Sequence, residues 1–413
     1  MAEISWQIIG VIITILGICI AAIISLIIIP YMNDQKTIDL TKNQLILAEQ
    51  YENSNEYEKS IEIYNNLLEK VSKEQFPYEY AKIKLKLGRD YGLLSDSKNK
   101  ETNLMHSRDS LIDALTIFTF EKYPGDYAAS QQNLGIAYKQ LSEIRNQNEN
   151  NRKSIEAFTS ALRITNKSVS PMDYAILESN IGLAYRNLGV SEQNDTYTKK
   201  AKDYFENALE IVTLTNNPEL YAQLQSNYGP ITGSFNQSLN SFNEALIVYT
   251  IESHPNEYAI VQQNIGGLYI LREPLTESDI EKSIIAYNNA LKIFTIENRP
   301  KDYAKIKKLL GIAYLNLALR QNRESNFNNA KNAFNESLKI RTITEYPIEY
   351  AMTQLDIATL YTYVGDIKNN ETDRQAAEYA FNEALSIFTQ REYPLYYQQV
   401  QTAYNDFKKR SNN

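Results

Sequence analysis

Eight prolines, at 77, 124, 171, 218, 255, 300, 347 and 394, divide most of this chain into segments of 47, 47, 47, 37, 45, 47 and 47 residues. A tyrosine follows three places after each: Tyr80, Tyr127, Tyr174, Tyr221, Tyr258, Tyr303, Tyr350 and Tyr397. A fixed period with a fixed internal offset means one supersecondary unit copied along the chain. Stacked copies touch only their neighbours, so such a chain offers an extended surface rather than a single catalytic cleft.

Within each copy the proline suits the first turn of a helix, where its fixed φ and missing N–H cost nothing. Two places later an acid faces the positive helix end, as in Glu79, Asp126, Asp173, Glu257, Asp302 and Glu349. Helix A of each unit therefore starts at the proline. It then carries Gly88 and Tyr91, repeated as Gly135/Tyr138, Gly182/Tyr185, Gly266/Tyr269 and Gly311/Tyr314. A second helix, B, carries a small residue, a ring four later and a small residue three after that. Examples are Ser154/Phe158/Ala161, Ala201/Phe205/Ala208, Ser283/Tyr287/Ala290 and Ala377/Phe381/Ala384. Small residues let two helices approach, and the ring fills the gap to the next hairpin. These aromatics are core, not ligand contacts.

The pattern resembles the tetratricopeptide (TPR) repeat, with Leu-Gly-x-x-Tyr on helix A and Ala-x-x-x-Phe-x-x-Ala on helix B. The resemblance covers residues 38–393. Its first unit, Leu47-Ala48-x-x-Tyr51 followed by Ser60, Tyr64 and Leu67, has ordinary length. The others are longer and look like the kinesin-light-chain style of array and its microbial relatives. The resemblance implies an all-α solenoid of about eight TPR-like helical hairpins, beginning near 38, 77, 124, 171, 218, 255, 300 and 347, with a capping helix over 394–410. It also implies a binding scaffold with no catalysis of its own. Polar stretches such as SDSKNKETN and SEIRNQNENN read as solvated A–B loops.

Ile8 to Ile29 contains no charge and is long enough to cross a bilayer as helix. This predicts a transmembrane anchor over 1–30 and a short linker over 31–37 before the solenoid at 38–410. Lys36 and Lys42 follow the run while its N-terminal flank has no basic residue, placing a single-pass protein with its solenoid in the cytoplasm. Gly10, Thr14, Gly17, Ala21 and Ser25 share one face of that helix, a stripe suited to self-association as a homodimer.

The chain carries a net charge of −8 and has no marked basic strip, which argues against a nucleic-acid partner. Cys19 is the only cysteine and the two histidines, His106 and His254, are far apart, so neither a disulfide nor a metal-ligand spacing is present. Phosphate-loop and nucleophile-elbow motifs are also missing. No enzyme activity, cofactor or metal is expected.

The candidate binding residues lie on helix A, which lines the groove of proteins the chain resembles. Asn133, Asn180, Asn227 and Asn264 stand two places before the helix-A glycine, with Gln132 and Gln263 beside them. A carboxamide both donates and accepts, so it can pair with an extended peptide backbone. The resemblance implies the same, because asparagines at this position contact peptides in several such proteins. The other reading is hydrogen bonding between hairpins. The row lapses at Lys86, Leu309 and Asp356. In the short unit from Pro218, Gly229-Pro230 should stop helix A early; a deletion trimmed from the A–B loop and a hinge or binding notch both fit. The expected function is a membrane-anchored scaffold binding extended segments of other proteins. The alternative is a structural subunit of a secretion or surface-appendage assembly, self-associating through its membrane helix.

Overall fold

The computed structural model describes residues 22–368 and 370–411. It is all-α, with no strand among the described residues. The chain forms two compact units, residues 1–212 and 213–413.

In the first unit, α1 (Ile29–Asn53) and α2 (Tyr57–Leu68) make one hairpin, and α3 (Pro77–Leu94) and α4 (Lys100–Leu115) the next. They are followed by α5 (Pro124–Ser142) with α6 (Gln147–Leu162), and α7 (Pro171–Ser191) with α8 (Asp195–Leu209). The second unit holds α9 (Pro218–Tyr228) with α10 (Phe235–Val248), and α11 (Pro255–Ile270) with α12 (Glu277–Leu291). It continues with α13 (Pro300–Ala318) and α14 (Arg323–Leu338), α15 (Pro347–Lys368) and α16 (Glu371–Ile387), and ends on α17 (Pro394–Ser411). Each of the eight prolines is the first residue of its helix.

In five hairpins a helix-A glycine packs on a helix-B ring, and in the hairpin from Pro77 the partner of Gly88 is Leu111. A Cβ on Gly135 would stand 2.6 Å from two carbons of the Phe158 ring, and one on Gly266 would stand 2.5 Å from Tyr287 Cε1. The ring therefore lies flush on its own hairpin's helix A. It also reaches the following hairpin, since Phe158 packs with Leu177 and Ile181. In three hairpins the small helix-B residue is a serine whose hydroxyl donates to the carbonyl of that glycine: Ser107 to Gly88 at 2.6 Å, Ser154 to Gly135 at 2.9 Å and Ser283 to Gly266 at 2.7 Å.

In four hairpins the recurrent tyrosine ties the start of helix A to the end of helix B. Tyr80 Oη donates to Asp113 at 2.5 Å, Tyr303 to Glu336 at 2.9 Å, and Tyr350 to Glu383. Each pair is 33 residues apart; in the short unit Tyr221 donates to Glu244, 23 residues on, at 3.0 Å. The ten missing residues are thus lost between Tyr221 and Glu244, and most of them come from the end of helix A.

The polar stretches are not loops. Only residues 143–146 separate α5 from α6, and 319–322 separate α13 from α14. The extra length extends the helices, because the stretches contain neither proline nor glycine. The turn is made by an asparagine at positive φ (Asn99, 45°; Asn146, 48°; Asn322, 46°). A second asparagine four places on donates to a carbonyl of the turn itself: Asn103 to Lys98, Asn150 to Arg145 and Asn326 to Gln321, at 2.7–2.9 Å.

The membrane placement is corrected. Among the described residues no helix is long and apolar enough to cross a membrane. Of the expected span only residues 22–29 are described; Gly10, Thr14, Gly17 and Ala21 lie outside the described residues. The rest of the run passes through a π-helical turn, Ile24–Ile28, into α1, where Asp34, Lys36, Asp39 and Lys42 interrupt any apolar window. Single-pass localisation with a cytoplasmic solenoid therefore does not stand. Ser25 is exposed, and its hydroxyl donates to the Ala22 carbonyl at 3.3 Å. The linker expected over 31–37 is part of α1: it has no helix breaker, and Pro30 sits in the first turn where helix tolerates it.

Candidate peptide-binding surface

The position two before the helix-A glycine faces the neighbouring hairpin. In the first unit, Lys86 on α3 pairs with Glu49 on α1 at 2.8 Å. On α7, Asn180 accepts from Lys139 of α5 at 2.8 Å and spends one amide hydrogen on its own helix, at Ile176 O. Asn133 likewise donates to Ala129 O at 2.9 Å; it lines a 180 Å³ cleft with Arg89 and Gln140. Gln132 is half-buried beside it. In the second unit Asp356 on α15 pairs with Lys308 of α13 at 3.1 Å, and burial holds its carboxyl above the usual range. Two of the three lapses in the asparagine row, Lys86 and Asp356, are therefore hairpin-to-hairpin ion pairs.

Lys139 and Arg186 occupy the same place on α5 and α7, four residues after Gly135 and Gly182 and 47 apart. Both are half-buried. Burial pushes the Lys139 ammonium below its usual range, against the opposing pull of Glu143, and it pushes the Arg186 guanidinium down as well. Partly desolvated cations at successive repeats suit a carboxylate arriving from outside. Attention to asparagine alone passed them over, although the period of 47 marks them.

In the second unit the three candidate residues divide differently. Asn227 is half-buried and engaged within the protein. Asn264 and Gln263 are half-buried on α11 and line a cleft of 860 Å³ beside the shortened α9. Two other features are structural. His106 lies against the Tyr91 ring at 5.1 Å, and His254 sits 3.6 Å from Glu219. Among the described residues no group of three or more His, Cys, Asp or Glu side chains could hold a metal ion.

No protein-family model matches the chain, and no curated protein resembles it. Solved structures similar to it are helical repeats. One is the C-terminal part of a TPR repeat-containing protein from Cytophaga hutchinsonii, 15% identical, TM-score 0.42, covering 72% of this chain and 95% of that one. Another is a Rap protein complexed with competence and sporulation factor, 14% identical, TM-score 0.48, covering 90% and 99%. A third is a signal transduction ATPase with a tetratricopeptide repeat sensor from Pyrococcus horikoshii, 16% identical, TM-score 0.44, covering 79% and 52%. At such scores nothing about this chain's partners follows from them. The TPR-like hairpin is established by the chain's own geometry.

Proposed function

We propose that this protein is an interaction scaffold that holds extended segments of other polypeptides against its A helices. The observation that carries the reading is the pair Lys139 and Arg186, set in register on successive A helices of the first unit with their charges partly withdrawn from water. A carboxylate on the partner pairs with the Lys139 and Arg186 charges in addition to their contacts within the protein, while the carboxamides of Gln132 and Asn133 serve the adjoining backbone. Asn180 acts in this scheme as a positioning residue, because it already holds the Lys139 ammonium.

The test uses the full chain and a fluorescein-labelled, amidated nonapeptide pool with glutamate fixed at its centre, followed by fluorescence anisotropy. Replacing Lys139 and Arg186 together by alanine is expected to weaken binding about tenfold or more, since exchanging a desolvated charge contact costs this much. Binding that is unchanged in the double variant refutes the reading. A photoreactive residue at Gln132 then identifies the natural partner.

A further inference from the structure

The shortened hairpin creates a cleft that no other described hairpin has a counterpart for in sequence. Helix α9 has 11 residues where α5 has 19 and α7 has 21, so the last two turns of helix A are missing. The chain instead makes a 3₁₀ turn, Gly229–Ile231, and passes through Gly233 at φ 77° to start α10. That uncovers the side of α11. The residue it uncovers after Gly266 is a second glycine, Gly267, where the equivalent helices carry Arg89, Ile136, Leu183 and Ile312. Missing turns and a missing side chain together leave the 860 Å³ cleft, within the range that takes a drug-sized ligand.

At the floor of the cleft lies Tyr287. The equivalent ring in the other hairpins from Pro124 onward is phenylalanine: Phe158, Phe205, Phe242, Phe334 and Phe381. Among these six hairpins only Tyr287 carries a hydroxyl; that of Tyr64, in the first hairpin of the chain, is answered by Glu52. The side chain is 0% exposed, and among the described residues its hydroxyl has no hydrogen-bond partner. Its neighbour Ser283 gives its own hydrogen to the Gly266 carbonyl and acts on the tyrosine hydroxyl from nearby, without a hydrogen bond of normal geometry joining the two. A Cβ on Gly267 would stand 3.9 Å from that oxygen, so with glycine there the hydroxyl lies directly beneath the floor of the cleft. A buried hydroxyl without a partner is a cost that phenylalanine avoids. The site therefore awaits a group that accepts from it.

The chemistry of that group is constrained by the walls. Gln263 and Asn264 line the cleft, and neither carboxamide makes a hydrogen bond among the described residues. Phe242, Leu309 and Ile312 supply apolar surface. The ionisable lining other than Tyr287 is Arg272, already paired with buried Asp279 at 2.9 Å, and Glu273 at the exposed rim. No cation is left over for an anion, and the single acid does not favour one. We infer that the cleft binds a neutral peptide segment, one apolar side chain seated against Phe242, Leu309 and Ile312, with a flanking backbone carbonyl accepting from Tyr287 and the adjoining amides paired by Gln263 and Asn264. This site is independent of the cationic face of the first unit.

The test compares three labelled nonapeptide pools, identical except for a central Leu, Glu or Lys, binding to the full chain. The leucine pool is expected to bind about tenfold more tightly than the lysine pool. Tyr287→Phe keeps the ring used by five other hairpins, so it should fold, melt at a higher temperature and lose about threefold to tenfold in leucine-pool binding. Gly267→Leu fills open space and should abolish that binding with the helical circular dichroism intact. The double alanine variant of Lys139 and Arg186 should leave it unchanged. The inference is overturned if no leucine-pool binding is seen, if Tyr287→Phe binds equally well (a water then satisfies the hydroxyl), or if Gly267→Leu removes glutamate-pool binding instead. A loss in the double alanine variant alone would assign peptide binding to the first unit and likewise overturn it.

Discussion

Gly266 and Gly267 are neighbours in one helix, yet alanine should act on them with opposite sign. In a helix interior Gly→Ala ordinarily stabilises by about 0.5–1 kcal/mol through lost backbone freedom in the unfolded chain. At Gly267 nothing opposes this, because the new methyl meets no atom nearer than 3.9 Å. At Gly266 the methyl would stand 2.5 Å from Cε1 and 2.6 Å from Cδ1 of Tyr287. That ring is fully buried among Ile280, Ile306 and Leu310 and has nowhere to retreat. Overpacking of this kind costs about 1–3 kcal/mol, which leaves a net loss of about 1–2 kcal/mol. Repeat arrays unfold in parts, so a single global free energy is a poor readout. Hydrogen exchange of the amides in α11 and α12, read by mass spectrometry, reports the local opening directly. Protection should fall for Gly266→Ala and rise for Gly267→Ala. With Tyr287→Ala in the background the Gly266→Ala loss should vanish, since the two side chains act only on one another. Two shifts of the same sign, or a Gly266→Ala loss that survives removal of the ring, would refute the close-approach argument.

Two further outcomes follow from the hairpin geometry. Tyr303→Phe should cost about 1 kcal/mol by removing the 2.9 Å bond to Glu336, whereas Tyr127→Phe, whose hydroxyl has no partner among the described residues, should be near neutral in the same thermal-melt comparison. Asp90 is fully buried beside Ser60, and burial foremost, then Glu52, raises its carboxyl to about 7, with the Ser60 hydroxyl, Arg89 and Lys86 pulling the other way. The folded state therefore keeps a proton that the unfolded chain releases near pH 4, so stability should fall as pH rises from about 4 to about 7 and level off above. Asp90→Asn should remove that slope from the first unit's melting curve, and an unchanged slope would show that Asp90 is ionised throughout.

The repeat was legible because its constraints are local. Proline fixes φ at the start of each A helix from Pro77 onward, and a small residue must face the bulky helix-B side chain where the two helices of a hairpin touch, so both recur at a fixed spacing. The polar stretches misled because solubility says nothing about helicity when no breaker is present. Asn99, Asn146 and Asn322 carried the turn signal all along, but a left-handed asparagine cannot be told from a solvated one until its neighbours are placed. The binding residues were half legible. Sequence placed Asn133, Asn180 and Asn264 on equivalent faces, yet hydrogen bonds to residues about 40 places away decide which carboxamides remain available. Asn180 is taken by Lys139, while Asn264 is not taken.

By itself the sequence determined where the A helices start from Pro77 onward and which helices pair in a hairpin, since each is set by residues in contact with an adjacent copy. The tertiary structure alone decided that the shortened unit opens a cleft and that Tyr287 stands at its floor with an unanswered hydroxyl. A cleft consists of atoms that are missing from several elements at once, and no single segment of chain records that.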